Sequence, residues 1–192
     1  MSKFNIKILA HRGFWKEETE KNTKTAFERA FNSGFGIETD LRDIKGEIVI
    51  SHNMPQGGEM KFEDLLKDIL AKQYDVICFQ EINQTIESPV VPVNDLYHPT
   101  PSAEPIHQDH YVRCLVEKLE EEGLSYHWTW AYNHIGYDRY HEGVAILSRT
   151  PIQASELLVS DVNDPTDYHT RRIAIAETQV DGKDIAVASV HL

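Results

Sequence analysis

Apolar residues in this chain come as short runs and as alternations, and each pattern predicts a different element. Residues 5–10 form a short apolar run that ends at His11-Arg12-Gly13 and predict a first strand. Ala26, Phe27, Ala30 and Phe31 recur at the spacing of one helical face, with Asn22 as the expected N-cap and Gly34 as the stop. Residues 36–43 and 47–52 read as strands joined by a turn at Lys45-Gly46. Phe62, Leu65, Leu66, Ile69 and Leu70 mark a second amphipathic helix, and 75–79 is a buried strand expected to end at Gln80-Glu81. The segment 85–106 holds five prolines and no periodicity, the signature of a long functional or mobile loop. Val112, Leu115, Val116 and Leu119 line one face of a third helix, closed by Gly123. An aromatic stretch, 126–132, precedes a strand at 143–147. Residues 172–178 and 185–190 then alternate apolar and polar around a turn at Asp181-Gly182. Helices and strands in this order suit an α/β to α+β architecture.

Composition narrows the partners. The 192 residues carry a net charge of -12, which argues against a surface that grips long nucleic acid, because phosphate contacts need clustered Lys and Arg. It leaves room for a small phosphodiester or phosphate-ester substrate, since a carboxylate-held cation supplies the positive charge. No run of eighteen apolar residues is present to span a membrane, and the apolar stretch near Met1 is too short for a signal peptide. Cys78 and Cys114 read as reduced core residues, and the expected location is cytoplasmic.

One set of residues clusters at strand ends and helix starts: His11-Arg12-Gly13, Asn22-Thr23 with Ala26-Phe27, Glu38-Thr39-Asp40, and Ser51-His52. Glu38 and Asp40 are two apart in a strand and so share a side, and two carboxylates on one face call for a divalent cation between them. Two flanking histidines can share acid and base work. This set resembles the glycerophosphodiester phosphodiesterase family. The resemblance implies His11 and His52 as a catalytic pair, Arg12 as a phosphate contact, and Glu38 and Asp40 as metal ligands. Lys21 and Asn53 depart from the family's usual Glu and Asp.

A second set begins near Lys72: the strand leading to Gln80-Glu81, the segment from Tyr140 through Glu142-Gly143 to Ser148-Arg149, Arg171-Arg172, and the closing Ser189-Val190-His191-Leu192. It resembles the endonuclease/exonuclease/phosphatase superfamily. Tyr97-His98-Pro99-Thr100-Pro101 and His134-Ile135-Gly136-Tyr137-Asp138 are similar to one bacterial branch of it. The resemblance implies that Glu81 binds the metal, Mg²⁺ first with Ca²⁺ or Mn²⁺ as alternatives. It also implies that Tyr140 or Arg171 contacts the phosphate, with Arg172 the other choice of arginine, and that His191 pairs with Glu142. Full members add an Asn-bearing first strand, a Gly-Asp-x-Asn segment and a final His, none of which stands in these residues. His98, His107, His110, His127 and His169 fall in loops or at helix edges; His107 and His110 have the spacing of a metal clamp, the weaker reading for them.

Together these readings give a partial β/α-barrel-like unit, 1–66, joined to a partial αββα-sandwich of DNase-like kind, 67–192. Two incomplete sets meeting near 62–73 suggest a chimera, a recombined sequence or a partial chain. The leading function is divalent-metal-dependent phosphodiester hydrolysis. The alternative is a non-catalytic chain that binds metal and phosphate because both active sites are incomplete.

Overall fold

The computed structural model describes residues 9–33, 36–38, 41–44, 47–50 and 60–191. Contacts divide the chain into two compact units, Met1–Leu65 and Leu66–Leu192.

In the first unit, β1 (Leu9–His11) and β2 (Gly36–Glu38) pair in parallel around α1 (Lys24–Asn32). Ala26, Phe27 and Ala30 form the buried stripe of α1, as their spacing requires. The N-cap is Thr23 rather than Asn22. Thr23 has the extended backbone a cap needs, and its hydroxyl accepts from the Ala26 N–H at 3.3 Å, whereas Asn22 is left-handed at φ 57°. Next come β3 (Leu41–Ile44), β4 (Glu47–Ile50) and β5 (Met60–Lys61), a three-stranded antiparallel sheet. The described strands after β2 therefore do not continue as a β/α-barrel. The expected first strand before Leu9, the stop at Gly34 and the turn at Lys45-Gly46 lie outside the described residues. The unit boundary falls within α2 (Phe62–Lys72).

The second unit contains two three-stranded antiparallel sheets. One has the order β6 (Val76–Thr85), β8 (Tyr140–Ser148), β7 (His127–Gly136). The other has the order β11 (Lys183–Ser189), β10 (Arg172–Val180), β9 (Gln153–Leu158). Strand β9 is absent from the sequence pattern: Gln-Ala-Ser-Glu-Leu-Leu has little β-branching, and its pairing with β10 makes it a strand. Between the sheets lies a core of small and medium side chains, Cys78, Ala131, Val144, Ile146, Ala174 and Ala176. Period-two alternation sends the other residues of β8 to the opposite face, where Ala145 sits in register between Trp130 and Phe79. Helix α3 (Tyr111–Glu121) packs on this sheet through Val112, Leu115, Val116 and Leu119, and the chain turns away at Gly123, left-handed at φ 83°. The layers are helix, sheet and sheet, a mixed α/β fold with antiparallel sheets.

The segment between β6 and α3 has no helix or strand of its own, yet it is pinned. His98 N–H donates to Trp128 O at 2.8 Å, Val91 N–H to Ile106 O at 2.9 Å, and the ring of His107 bonds Thr85 O at 2.8 Å. Both cysteines are free thiols; Cys78 is core, but Cys114 is only half-buried on α3. No described helix is long and apolar enough to cross a membrane.

His110 is not half of a metal clamp but the buried N-cap of α3, its ring Nδ1 accepting from the Arg113 N–H at 3.2 Å between Trp128 and Trp130. That role needs a neutral ring, and burial pushes its pKa from 6.5 down to about 3. Between those values the unfolded chain binds the extra proton, so stability is full above about 6.5 and falls as pH drops, by up to about 1.4 kcal/mol per pH unit. Urea midpoints taken at about pH 7 and pH 5 are expected to fall for the native chain and to fall less for His110→Asn, which keeps a capping oxygen. An equal fall in both would remove His110 as the cause.

Candidate active site

At one end of the inter-sheet core the apolar layer gives way to polar side chains. Val144 and Ile146 face the second sheet, so alternation puts Glu142 and Tyr140 on that same face of β8. On both flanks of this stretch the neighbouring strands break register, β6 between Phe79 and Ile82 and β7 between Tyr132 and His134. Such bulges re-aim side chains at site edges. They bring Asn83, Glu142 and His134 into one row across three strands, since Glu142 is the register partner of both others. The β6 bulge puts Glu81 at φ 50°, an unfavourable backbone for a residue with a side chain, and leaves it only 7% exposed. The expected strand end at Glu81 is thus a kink within a strand that runs on to Thr85.

The end of β11 is drawn to the same place. Ser189 Oγ donates to Phe79 O at 3.0 Å and Gln80 Nε2 donates to Val190 O, which sets His191 Nε2 3.7 Å from Glu81 Oε1. Glu142, expected beside His191, has His134 Nε2 at 3.4 Å from its Oε1. Each of the two residues has a partner that the motifs did not assign. Burial lowers the pKa of His134, and the nearby Arg171 and His191 charges act in the same direction. A backbone hydrogen bond at Ile135 opposes part of that lowering.

The two arginines separate clearly. Arg172 is committed to structure: its guanidinium donates to Tyr132 O at 3.0 Å and to Asn163 Oδ1, and its Nε lies 3.6 Å from Glu156 Oε1. Arg171 stands beside the row, near enough to perturb His134, with Nη1 on the carbonyls of Tyr168 and Thr170. Tyr140 opens β8 under the Arg139 guanidinium, 5.1 Å from the ring centroid.

The other candidate set is only partly placed. His11 ends β1, exposed, and is the register partner of Glu38 at the end of β2. Arg12 follows at φ 56°. Asp40 and His52, and the side chain of Glu38, lie outside the described residues. Among the described residues, no three His, Cys, Asp or Glu side chains converge at metal-ligand spacing. His127, expected in a loop or at a helix edge, opens β7 and shares a 2.9 Å ring contact with His98, while His169 bonds Asp167 at 2.8 Å.

A profile of the Endonuclease/Exonuclease/phosphatase family matches residues 32–188. This chain belongs to that family. The match crosses the expected boundary at residue 66, so it takes in much of the segment that resembles glycerophosphodiester phosphodiesterases. A solved endonuclease/exonuclease/phosphatase family protein from Leptotrichia buccalis C-1013-b is similar at 30% identity and TM-score 0.57, over 67% of this chain and 45% of that one. An endonuclease/exonuclease/phosphatase structure from Beutenbergia cavernae DSM 12333 aligns at 19% identity and TM-score 0.45, over 70% and 33%. Human Protein turtle homolog B is 26% identical over 136 residues, 67% of this chain and 10% of that protein. The chain thus spans less than half of each solved relative and a tenth of the curated one. Members of the family are typically phosphodiesterase or phosphatase hydrolases that use divalent metals, which suits a polar cluster with a buried carboxylate.

Three residues of the cluster had no role from sequence: Asn83, Asn133 and His134. Asn133 Oδ1 accepts from the Arg172 N–H at 2.7 Å and ties the two sheets together. His134 lay within a quoted motif, but only the paired bulges show where it points.

Proposed function

We propose that this chain carries the catalytic end of a divalent-metal-dependent hydrolase acting on a small phosphate ester or phosphodiester. The observation that supports this reading is the meeting of Glu81, Glu142, His134, His191 and Arg171 at the polar end of the inter-sheet core. The donor chemistry fits a hard cation. Glu81 is a nearly buried carboxylate held by a bulge beside His191, and hard divalent cations take carboxylate oxygens as ligands. Glu81 would hold the cation, Mg²⁺ before Mn²⁺ or Ca²⁺, which when bound supplies Lewis-acid polarisation of a phosphoryl oxygen. Arg171 and Tyr140 would receive the phosphate, with Arg171 exchanging its loop carbonyls for phosphoryl oxygens. His191 would handle protons, with Glu81 and Glu142 biasing its charge state.

On this reading residues 67–192 form the hydrolase segment. Residues 1–66 allow a second reading, glycerophosphodiester cleavage by His11, Arg12, Glu38, Asp40 and His52, favoured only by the parallel register that opposes His11 and Glu38. A binding module without turnover is the non-catalytic counterpart. Hydrolysis of a generic chromogenic phosphodiester is expected to require added Mg²⁺ or Mn²⁺ and to vanish on chelation. Turnover that survives exhaustive metal removal would sink the proposal. Metal-dependent phosphate binding without turnover would favour the binding module.

A further inference from the structure

The proline-rich segment between β6 and α3 carries Tyr97-His98-Pro99-Thr100-Pro101, a motif that the hydrolase reading leaves without a role. The structure seats it along β7. Tyr97 bridges in parallel to Trp128 and lies against its ring, the centroids 4.3 Å apart. Trp128 N–H donates to Leu96 O at 2.8 Å, and Thr100 Oγ1 donates to Trp130 O at 3.1 Å. Because Tyr97 and Trp128 share one face, alternation sends the adjacent His98 and His127 together to the other. There the two half-buried rings meet: His98 Nε2 lies 2.9 Å from His127 Nδ1, with the ring centroids 5.1 Å apart. The pair is far along β7 from the polar cluster, since His127 is the register partner of Ser148 and His134 that of Glu142.

Two imidazole nitrogens so placed suit one ion. At metal–nitrogen distances of about 2.0–2.1 Å, neighbouring nitrogens on an octahedral or tetrahedral ion stand about 2.9–3.4 Å apart. Each neutral ring keeps one lone pair. Burial lowers the pKa of both histidines, and the charge of His98 adds to the effect on His127. Neither ring makes another hydrogen bond among the described residues. The ring that donates within the pair can therefore move its proton to its second nitrogen, and no net proton is lost. The donors also select the ion, because imidazole suits Zn²⁺, Ni²⁺ and Cu²⁺ whereas Mg²⁺ and Ca²⁺ take oxygen. We propose that His98 Nε2 and His127 Nδ1 hold a borderline transition-metal ion, separate from the hydrolase site, that fastens the segment 85–107 to β7. Water completes the coordination, since no third His, Cys, Asp or Glu converges there among the described residues. The site stands or falls independently of the hydrolase reading.

Calorimetric titration of the untagged chain with NiCl₂, in excess Mg²⁺ to occupy carboxylate sites, tests this. A saturable Ni²⁺ event is expected in the native chain. His98→Gln and His127→Gln are each expected to weaken it at least about 10-fold, because loss of even a ligand's hydrogen-bond partner costs that much. The exposed His169, changed to Gln as a control, is expected to leave it in place. Ni²⁺ is also expected to raise the melting temperature of the native chain and not that of His98→Gln. A second measurement needs no variant: Ni²⁺ is expected to protect His98 and His127 together from diethyl pyrocarbonate, read by mass spectrometry. Absence of a saturable event up to about 1 mM Ni²⁺ would overturn the proposal. So would binding that persists within about 3-fold in either variant, or protection that falls on other histidines and spares these two.

Discussion

Glu81→Gln is expected to lower metal-dependent hydrolysis by about 10³-fold, a loss of roughly 4 kcal/mol of transition-state stabilisation, with little change in folded structure. Glutamine has the same shape and fits the same left-handed bulge, so the change removes charge and leaves packing in place. Glu81 is nearly buried, with His191 Nε2 3.7 Å from its Oε1. The variant is also expected to lose the rise in melting temperature that metal gives the native chain, because a ligand stabilises only the state that binds it. Steady-state rates at saturating Mg²⁺, with melting curves with and without the ion, check both outcomes. A variant within about 3-fold of native activity would show that Glu81 is not the residue on which metal chemistry depends.

Gly143→Ala is expected to destabilise the second unit strongly, by about 3 kcal/mol or more. A Cβ at this position would lie 2.2 Å from Ala131 O and 2.6 Å from Trp130 Nε1. The first contact is with backbone of the paired strand, so relief requires β7 and β8 to separate. That separation would disturb the register beside Glu142, so activity is expected to fall together with stability. Gly123→Ala is the matched control. Its Cβ would meet nothing within 4 Å, and only the left-handed backbone at φ 83° opposes it, at about 1 kcal/mol. Urea unfolding of the two variants separates steric from conformational cost. Similar losses in both would mean that the strands yield where the geometry says they are tight.

Much of the second unit was legible because its signals are local. The alternation in 172–178 and 185–190 around Asp181-Gly182 predicts a hairpin, and β10 and β11 pair there with both turn residues at positive φ. The third helix follows from four apolar residues on one face and a closing glycine. The motif around Gln80-Glu81 singles out a carboxylate, and the structure holds it nearly buried in the β6 bulge. In the first unit the parallel pairing of β1 and β2 matches a strand–helix–strand pattern, but the antiparallel β3–β4–β5 sheet that follows departs from the expected barrel. A short motif set constrains its own strand ends and not the direction of later pairing.

What the amino-acid order determined by itself is therefore the family, the strand that delivers Glu81, and the periodic elements whose burial follows from spacing. Tertiary structure alone decided the partners. Register breaks on both sides of β8 moved His134 opposite Glu142 and aligned Asn83 with them, and a bulge leaves no mark in a period-two pattern because it inserts a residue where sequence offers only more alternation. Arg171 and Arg172 are adjacent and chemically identical, so nothing local distinguishes them. Only the packing of β10 against β7 spends one guanidinium on carbonyls and an asparagine while leaving the other beside the site.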